Sequence, residues 1–88
     1  MKIEPIYLQI GVACLEARQR RGLTQAQVAQ KMDWTRASVA NLETGRQRIM
    51  LHDIPRLANA LGLAPGQLLP REYRAVQQRR GVLPGGAP

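Results

Sequence analysis

From residue 6 onward the apolar positions recur at three- and four-residue spacing, broken by short polar runs, which is the rhythm of packed helices. Tyr7, Ile10, Cys14 and Ala17 make one face of a helix predicted over residues 6–21. Pro5 suits its first turn, where the missing N–H would have no partner in any case. Leu8, Val12 and Leu15 form a second apolar stripe, about 100° round the same helix, more than a one-sided surface helix needs. Such a stripe calls for a cover, either a C-terminal segment folded back on it or a second subunit.

Residues 24–45, TQAQVAQKMDWTRASVANLETG, read as two short helices and a tight turn. Thr24 can cap the first, with Gln27 three residues on as its capping-box partner, and Val28, Ala29 and Met32 form the inward face. After only Asp33 and Trp34, Thr35 can cap the second, which turns Val39 and Leu42 inward and meets a left-handed stop at Gly45. Two helices so closely joined make a corner that fits a helix-turn-helix, in which the small Ala29 lets the second helix cross the first. Arg36, Ala37, Ser38, Ala40 and Asn41 then face outward.

Downstream, Leu51, Ile54, Leu57, Ala58 and Leu61 keep helical spacing up to Gly62. Pro55 would disturb a helix begun at Met50 and is harmless in one begun at Asp53, which can cap, so an irregular start is expected over residues 51–53. His52 there has no partner in the sequence and reads as a surface residue. Residues 64–69 read as a short fifth helix, and Pro70 can open a sixth that places Leu69, Tyr73 and Val76 on one face. The expected organisation is a lead-in over residues 1–5, one domain over 6–69, a helical extension over 70–80 and a flexible tail over 81–88.

Composition narrows the class. The chain has 88 residues, 44% of them apolar, with no Phe. That allows one modest core of small aliphatic side chains, and with no convincing strand pattern the expected fold is all-α. Thirteen Lys and Arg against six Asp and Glu give a net charge of +7, and eleven of the thirteen are Arg. A polyanion is the expected partner, against the plainer alternative of a solvated basic surface. A membrane surface fits poorly, because the basic residues are scattered and do not line one amphipathic helix. No stretch approaches the roughly 18 apolar residues of a membrane span, and a cytoplasmic location is expected. The lone Cys14 cannot form an internal disulfide, no Cys/His set has metal-ligand spacing, and no cofactor is called for. One His, one Cys and six scattered carboxylates leave no nucleophile, base and orienter to assemble, so an enzyme is not expected.

These motifs resemble the Cro and lambda-repressor-like (Xre-type) helix-turn-helix domains over roughly residues 6–69. The resemblance rests on Arg18, Gly22-Leu23-Thr24-Gln25, Val28-Ala29, the residue 35–43 helix, Gly45-Arg46, Leu57-Ala58 and Ala60-Leu61-Gly62. Asp33 stands where that family usually has Gly, and Met50 where it usually has a polar cap. The resemblance implies a five-helix domain, here with a sixth helix added, that lays the residue 35–44 helix in the major groove of double-stranded DNA. It further implies a structural pair of Arg18 with Glu43, and phosphate contacts from Arg46 and Arg48.

The chemistry of the outward residues agrees with it. Arg36 can bond a guanine edge bidentately, Asn41 can read adenine or a phosphate, and Ala37 can meet a thymine methyl. Thr24 and Gln25 can hold a phosphate at a helix N-terminus. The candidate contact set is Thr24, Gln25, Thr35, Arg36, Ala37, Ser38, Asn41, Arg46 and Arg48. The expectation is a repressor or autoregulator acting as a homodimer on an inverted repeat, with Leu63, Leu68, Leu69 and Tyr73 as interface candidates and the residue 8–15 stripe in reserve. The alternative is an antitoxin-like module that docks a partner protein such as a toxin and binds DNA to regulate itself.

Overall fold

The computed structural model describes residues 4–70. They form α1 (Pro5–Arg20), α2 (Gln25–Met32), α3 (Arg36–Glu43), α4 (Asp53–Leu61) and a closing 3-10 helix (Pro65–Leu68), with no strand among the described residues. α3 packs against both α1 and α2, α4 lies across α1 and α2, and the 3-10 helix closes the far end against α1 and α4. The core between them is aliphatic: Ile10, Cys14 and Ala17 from α1, Val28, Ala29 and Met32 from α2, Val39 and Leu42 from α3, and Leu57, Ala58 and Leu61 from α4.

Local chemistry sets where each helix starts and stops. Thr24 accepts from the Gln27 N–H at 3.1 Å while Gln27 Oε1 accepts from the Thr24 N–H at 2.8 Å, a reciprocal capping box. α2 ends at Asp33, which adopts φ 59° and lets the Trp34 N–H reach back to the Ala29 carbonyl at 2.8 Å. Asp tolerates this left-handed conformation better than most side chains, so the turn forms without the usual Gly. Arg56 of α4 donates through Nη2 to the Met32 carbonyl at 2.8 Å, satisfying a last-turn carbonyl of α2 and tying the two helices together.

The crossing of α1 and α3 depends on Gly11. It is buried in mid-helix, and a Cβ there would collide with the Leu42 carbonyl oxygen and lie 3.1 Å from the Glu43 carbonyl. The two backbones are therefore in direct contact, closer than any side chain between them would permit.

Three expectations are revised. Asp53 is the first residue of α4, not its cap: from inside the helix its Oδ2 accepts from the Met50 N–H at 3.0 Å, while the Asp53 N–H bonds the Met50 carbonyl at 2.9 Å. The Ile54 N–H bonds the Leu51 carbonyl at 3.2 Å in a tight turn, and so Pro55 enters without stranding an acceptor. The fifth helix is a single 3-10 turn, since Gly66 is a weak helix former and Leu69 is extended at φ −86°, ψ 149°, the conformation forced on a residue before proline. Leu68, expected at a subunit interface, is only 1% exposed and belongs to the protomer's own core. The sixth helix, Tyr73 and the tail lie outside the described residues. On α1, Leu8 and Val12 are exposed while Leu15 is half-buried.

Candidate nucleic-acid interface

α3 presents its candidate residues from a well-fastened start. Thr35 Oγ1 accepts from the Ser38 N–H at 3.1 Å and donates to Ser38 Oγ at 3.1 Å, which caps the helix and draws Ser38 partly out of solvent. Val39, Leu42 and Glu43 are buried, leaving Ala37 and Asn41 exposed on the opposite side with Ala40 half-buried, and Arg36 exposed at the N-terminal end along the Glu43 edge of the helix. One turn separates Ala37 from Asn41, so the two share a line along the helix, with Arg36 beside them at its N-terminal end.

The far end of α3 is held by charge. Arg18 Nε donates to Glu43 Oε2 at 2.6 Å and Nη2 to Oε1 at 3.2 Å, a two-pronged pair, while Nη1 bonds the Leu23 carbonyl at 2.9 Å. Their side chains are 15% and 5% exposed, so removing either partner leaves a charge with little water around it. The Glu43 charge acts on its surroundings too. Burial pushes the Cys14 thiol up to about 12, and repulsion from Glu43 adds to the effect.

The candidate residues divide into those already engaged and those free to engage. Gln25 Nε2 donates to Glu43 Oε1 at 2.9 Å, and Gln25 Oε1 accepts from Arg36 Nη1 at 3.0 Å. The Thr24 side chain is occupied by its cap, while the backbone N–H groups of Gln25 and Ala26 in the first turn of α2 have no acceptor inside the helix. Past α3, Gly45 is buried at φ +78° and turns the chain so that the Arg46 N–H closes on the Asn41 carbonyl at 2.8 Å. Arg46 and Arg48 are exposed, and no hydrogen bond or ion pair holds either side chain among the described residues. The arrangement is a two-turn helix with a guanidinium, a methyl and an amide outward. Further guanidinium groups follow its C-terminal end, and the N-terminus of α2 lies beside its first turn.

Sequence reasoning placed Gln25 at the interface but missed its bond to Glu43, eighteen residues away. It missed Gly11 altogether, although a lone glycine on the buried side of a strong helical pattern is the usual sign of a close packing contact.

The model of the helix-turn-helix domain family matches residues 16–71. No curated protein matches the chain. Among solved structures, the restriction-modification controller protein C.AhdI from Aeromonas hydrophila is 30% identical, with 72% of this chain and 96% of that one covered and a TM-score of 0.67. A hypothetical transcription factor, NHTF from Neisseria, is 26% identical over 86% of this chain and 92% of its own, with a TM-score of 0.71. The fold also recurs within hydroxypropylphosphonic acid epoxidase from S. wedmorenis, at 24% identity and a TM-score of 0.70 over 74% of this chain and 35% of that one. By family match, order of helices and motif residues, the chain belongs to the helix-turn-helix family of Cro and lambda-repressor-like DNA-binding domains.

Proposed function

We propose that the protein is a sequence-specific regulator of transcription that binds duplex DNA as a homodimer, with α3 in the major groove. The observation that carries this reading is the outward face of α3, where Arg36, Ala37 and Asn41 are exposed on a helix capped at Thr35 and held at Glu43. A guanidinium, a methyl and an amide are the groups that distinguish base pairs by their major-groove edges. Arg46, Arg48 and the free N–H groups of Gln25 and Ala26 suit the flanking phosphates, which set register and carry no sequence. The controller protein and the transcription factor among its structural neighbours support a regulatory role.

Dimerisation follows from the size of that unit. Three outward side chains cover only a few base pairs, so a useful specificity requires a second copy and an inverted repeat. Leu63 and Leu69 are half-buried and remain candidates for the contact, as do the exposed Leu8 and Val12.

Fluorescence anisotropy on labelled duplexes, titrated at several salt concentrations, tests the reading. Affinity should fall steeply as salt rises, with a logarithmic slope of roughly −0.9 for each phosphate neutralised. Arg48→Ala should lower affinity for all sequences alike, and Arg36→Ala should lose roughly 1–3 kcal/mol of discrimination at one base pair. Binding that ignores salt, or an Arg36→Ala variant with unchanged preference, would overturn it.

A further inference from the structure

We propose that Met50 and Leu51 form an apolar wedge that enters the minor groove of duplex DNA next to the site read by α3 and bends the duplex there. The proposal rests on the reading of α3 given above and goes beyond it by giving the loop between α3 and α4 a contact and a deformation of its own.

Exposure alternates along the stretch that follows α3. Arg46, Arg48 and Met50 are exposed, while Gln47 and Ile49 are half-buried and Ile49 packs against the core. Leu51 and His52 then stand exposed in the turn that leads into α4. Met50 and Leu51 are 61% and 87% exposed, the most open of the large apolar side chains among the described residues. One such side chain in water is ordinary, but an adjacent pair makes a patch. The backbone beneath the patch is held. Buried Asp53 takes the Met50 N–H on Oδ2 at 3.0 Å and donates its own N–H to the Met50 carbonyl at 2.9 Å, while its Oδ1 faces the Arg56 guanidinium at 3.7 Å. Both backbone groups of Met50 are thus satisfied from within the protomer, and the side chain is left outward.

The neighbours of the pair identify its partner. The Arg46 N–H closes on the Asn41 carbonyl at 2.8 Å, so the exposed row starts beside a base-reading residue of α3 and runs through two guanidinium groups to the apolar tip. Cations that give way to aliphatic side chains fit a partner with anionic rails and an apolar interior, which is duplex DNA with its phosphates outside and its stacked bases within. A second copy of this chain, at net charge +7, would set like charges against Arg46 and Arg48. A helix seated in the major groove is bordered by a phosphate strand, and a chain that crosses this strand next meets the minor groove. Arg46 and Arg48 suit the crossing, and Met50 and Leu51 arrive beyond it. Leucine and methionine are among the side chains that part base steps from the minor groove and kink the duplex. Kinking is least costly at pyrimidine–purine steps, so the wedge adds a sequence preference at a position that no hydrogen bond reads.

The double variant Met50→Gln with Leu51→Gln tests this, since it keeps side chains of similar size and makes them polar at positions open to water. Thermal unfolding confirms that it is folded. Duplexes selected by the native protein from a random pool serve as the probe. Energy transfer between dyes at the two duplex ends reads bending, anisotropy reads affinity, and sedimentation without DNA reads self-association. The proposal predicts that the native protein bends the duplex by roughly 20–90° and that the double variant leaves it nearly straight. Affinity should fall roughly five- to thirtyfold, the worth of burying two aliphatic side chains less the cost of unstacking. A stiff A-tract placed where the bend centres should weaken the native protein and leave the double variant unaffected. Straight DNA in the native complex, or a bend that the double variant keeps, would overturn the proposal and leave the reading of α3 intact. Affinity lost only together with self-association would make the pair a contact between copies and overturn it too. A pool that yields no preferred duplex would overturn both.

Discussion

Replacing Gly11 by Ala should destabilise this domain, although the same change in an isolated helix would stabilise it. Alanine is favoured over glycine by about 1 kcal/mol in a helix interior, and Gly11 has ordinary right-handed neighbours throughout α1. Against that gain stands the contact with α3. The added Cβ would overlap the Leu42 carbonyl oxygen and press on the Glu43 carbonyl at 3.1 Å, and both obstacles are backbone, which cannot rotate aside. To reach ordinary contact the helices must part by on the order of 1 Å. That strains the 2.6 Å Arg18–Glu43 bond and loosens Val39 and Leu42, which are 0% and 1% exposed. Overpacking of this kind costs roughly 1–3 kcal/mol or more, and because both obstacles are backbone the upper end applies, so after the gain of about 1 kcal/mol the net loss should be about 2 kcal/mol. For a domain of this size such a loss lowers the melting temperature by roughly 5–15 °C. Thermal unfolding followed by circular dichroism reads it, with Gly66→Ala as control, because a Cβ at Gly66 meets nothing within 4 Å. A Gly11→Ala protein that melts at or above the native temperature would refute the close approach of α1 and α3.

Arg18→Ala and Glu43→Ala should each cost about 3 kcal/mol or more, because each strands a nearly buried partner. The double variant should lose less than the sum of the singles by roughly 1–3 kcal/mol, and strict additivity in urea unfolding would mean that the side chains do not interact. Thr35→Ala should cost about 1 kcal/mol by removing the acceptor for the Ser38 N–H, while an unchanged midpoint would dismiss the cap. Cys14, with its thiol pushed up to about 12, should react with iodoacetamide at pH 8 only as fast as the domain unfolds. Since the unfolded thiol ionises near 8.5 and the folded one does not, the protonated Cys14 favours the folded state below that pH. That advantage is lost as pH rises towards about 12. The stability gap between the native protein and Cys14→Ala should accordingly narrow from pH 8 to pH 10.

What could be read from the sequence was local. Thr24 with Gln27, Thr35 ahead of Ser38, and Gly45 and Gly62 past their helices act over three or four residues, so their spacing carries the signal, and each stands at its expected helix end. The inward faces of α2 and α3 followed from helical periodicity for the same reason. The illegible parts depend on neighbours distant in the chain. Nothing around Gly11 tells that α3 will touch it, and nothing around Gln25 tells that its amide will lie between Glu43 and Arg36. Asp53 was seen as a helix starter, but whether it caps from outside or reaches back to Met50 depends on how the chain turns at Leu51 and His52. The short fifth element was misjudged because Pro70 acts backwards on Leu69, ending the helix before it can lengthen.

The central claim is that α3 reads base edges in duplex DNA, and selection of bound duplexes from a random pool tests it most directly. The pool should converge on one motif with two-fold symmetry, its half-site centres about one helical turn, roughly 34 Å, apart. A pool that fails to converge after repeated rounds, or that converges equally well with Arg36 and Asn41 replaced by Ala, would contradict the claim.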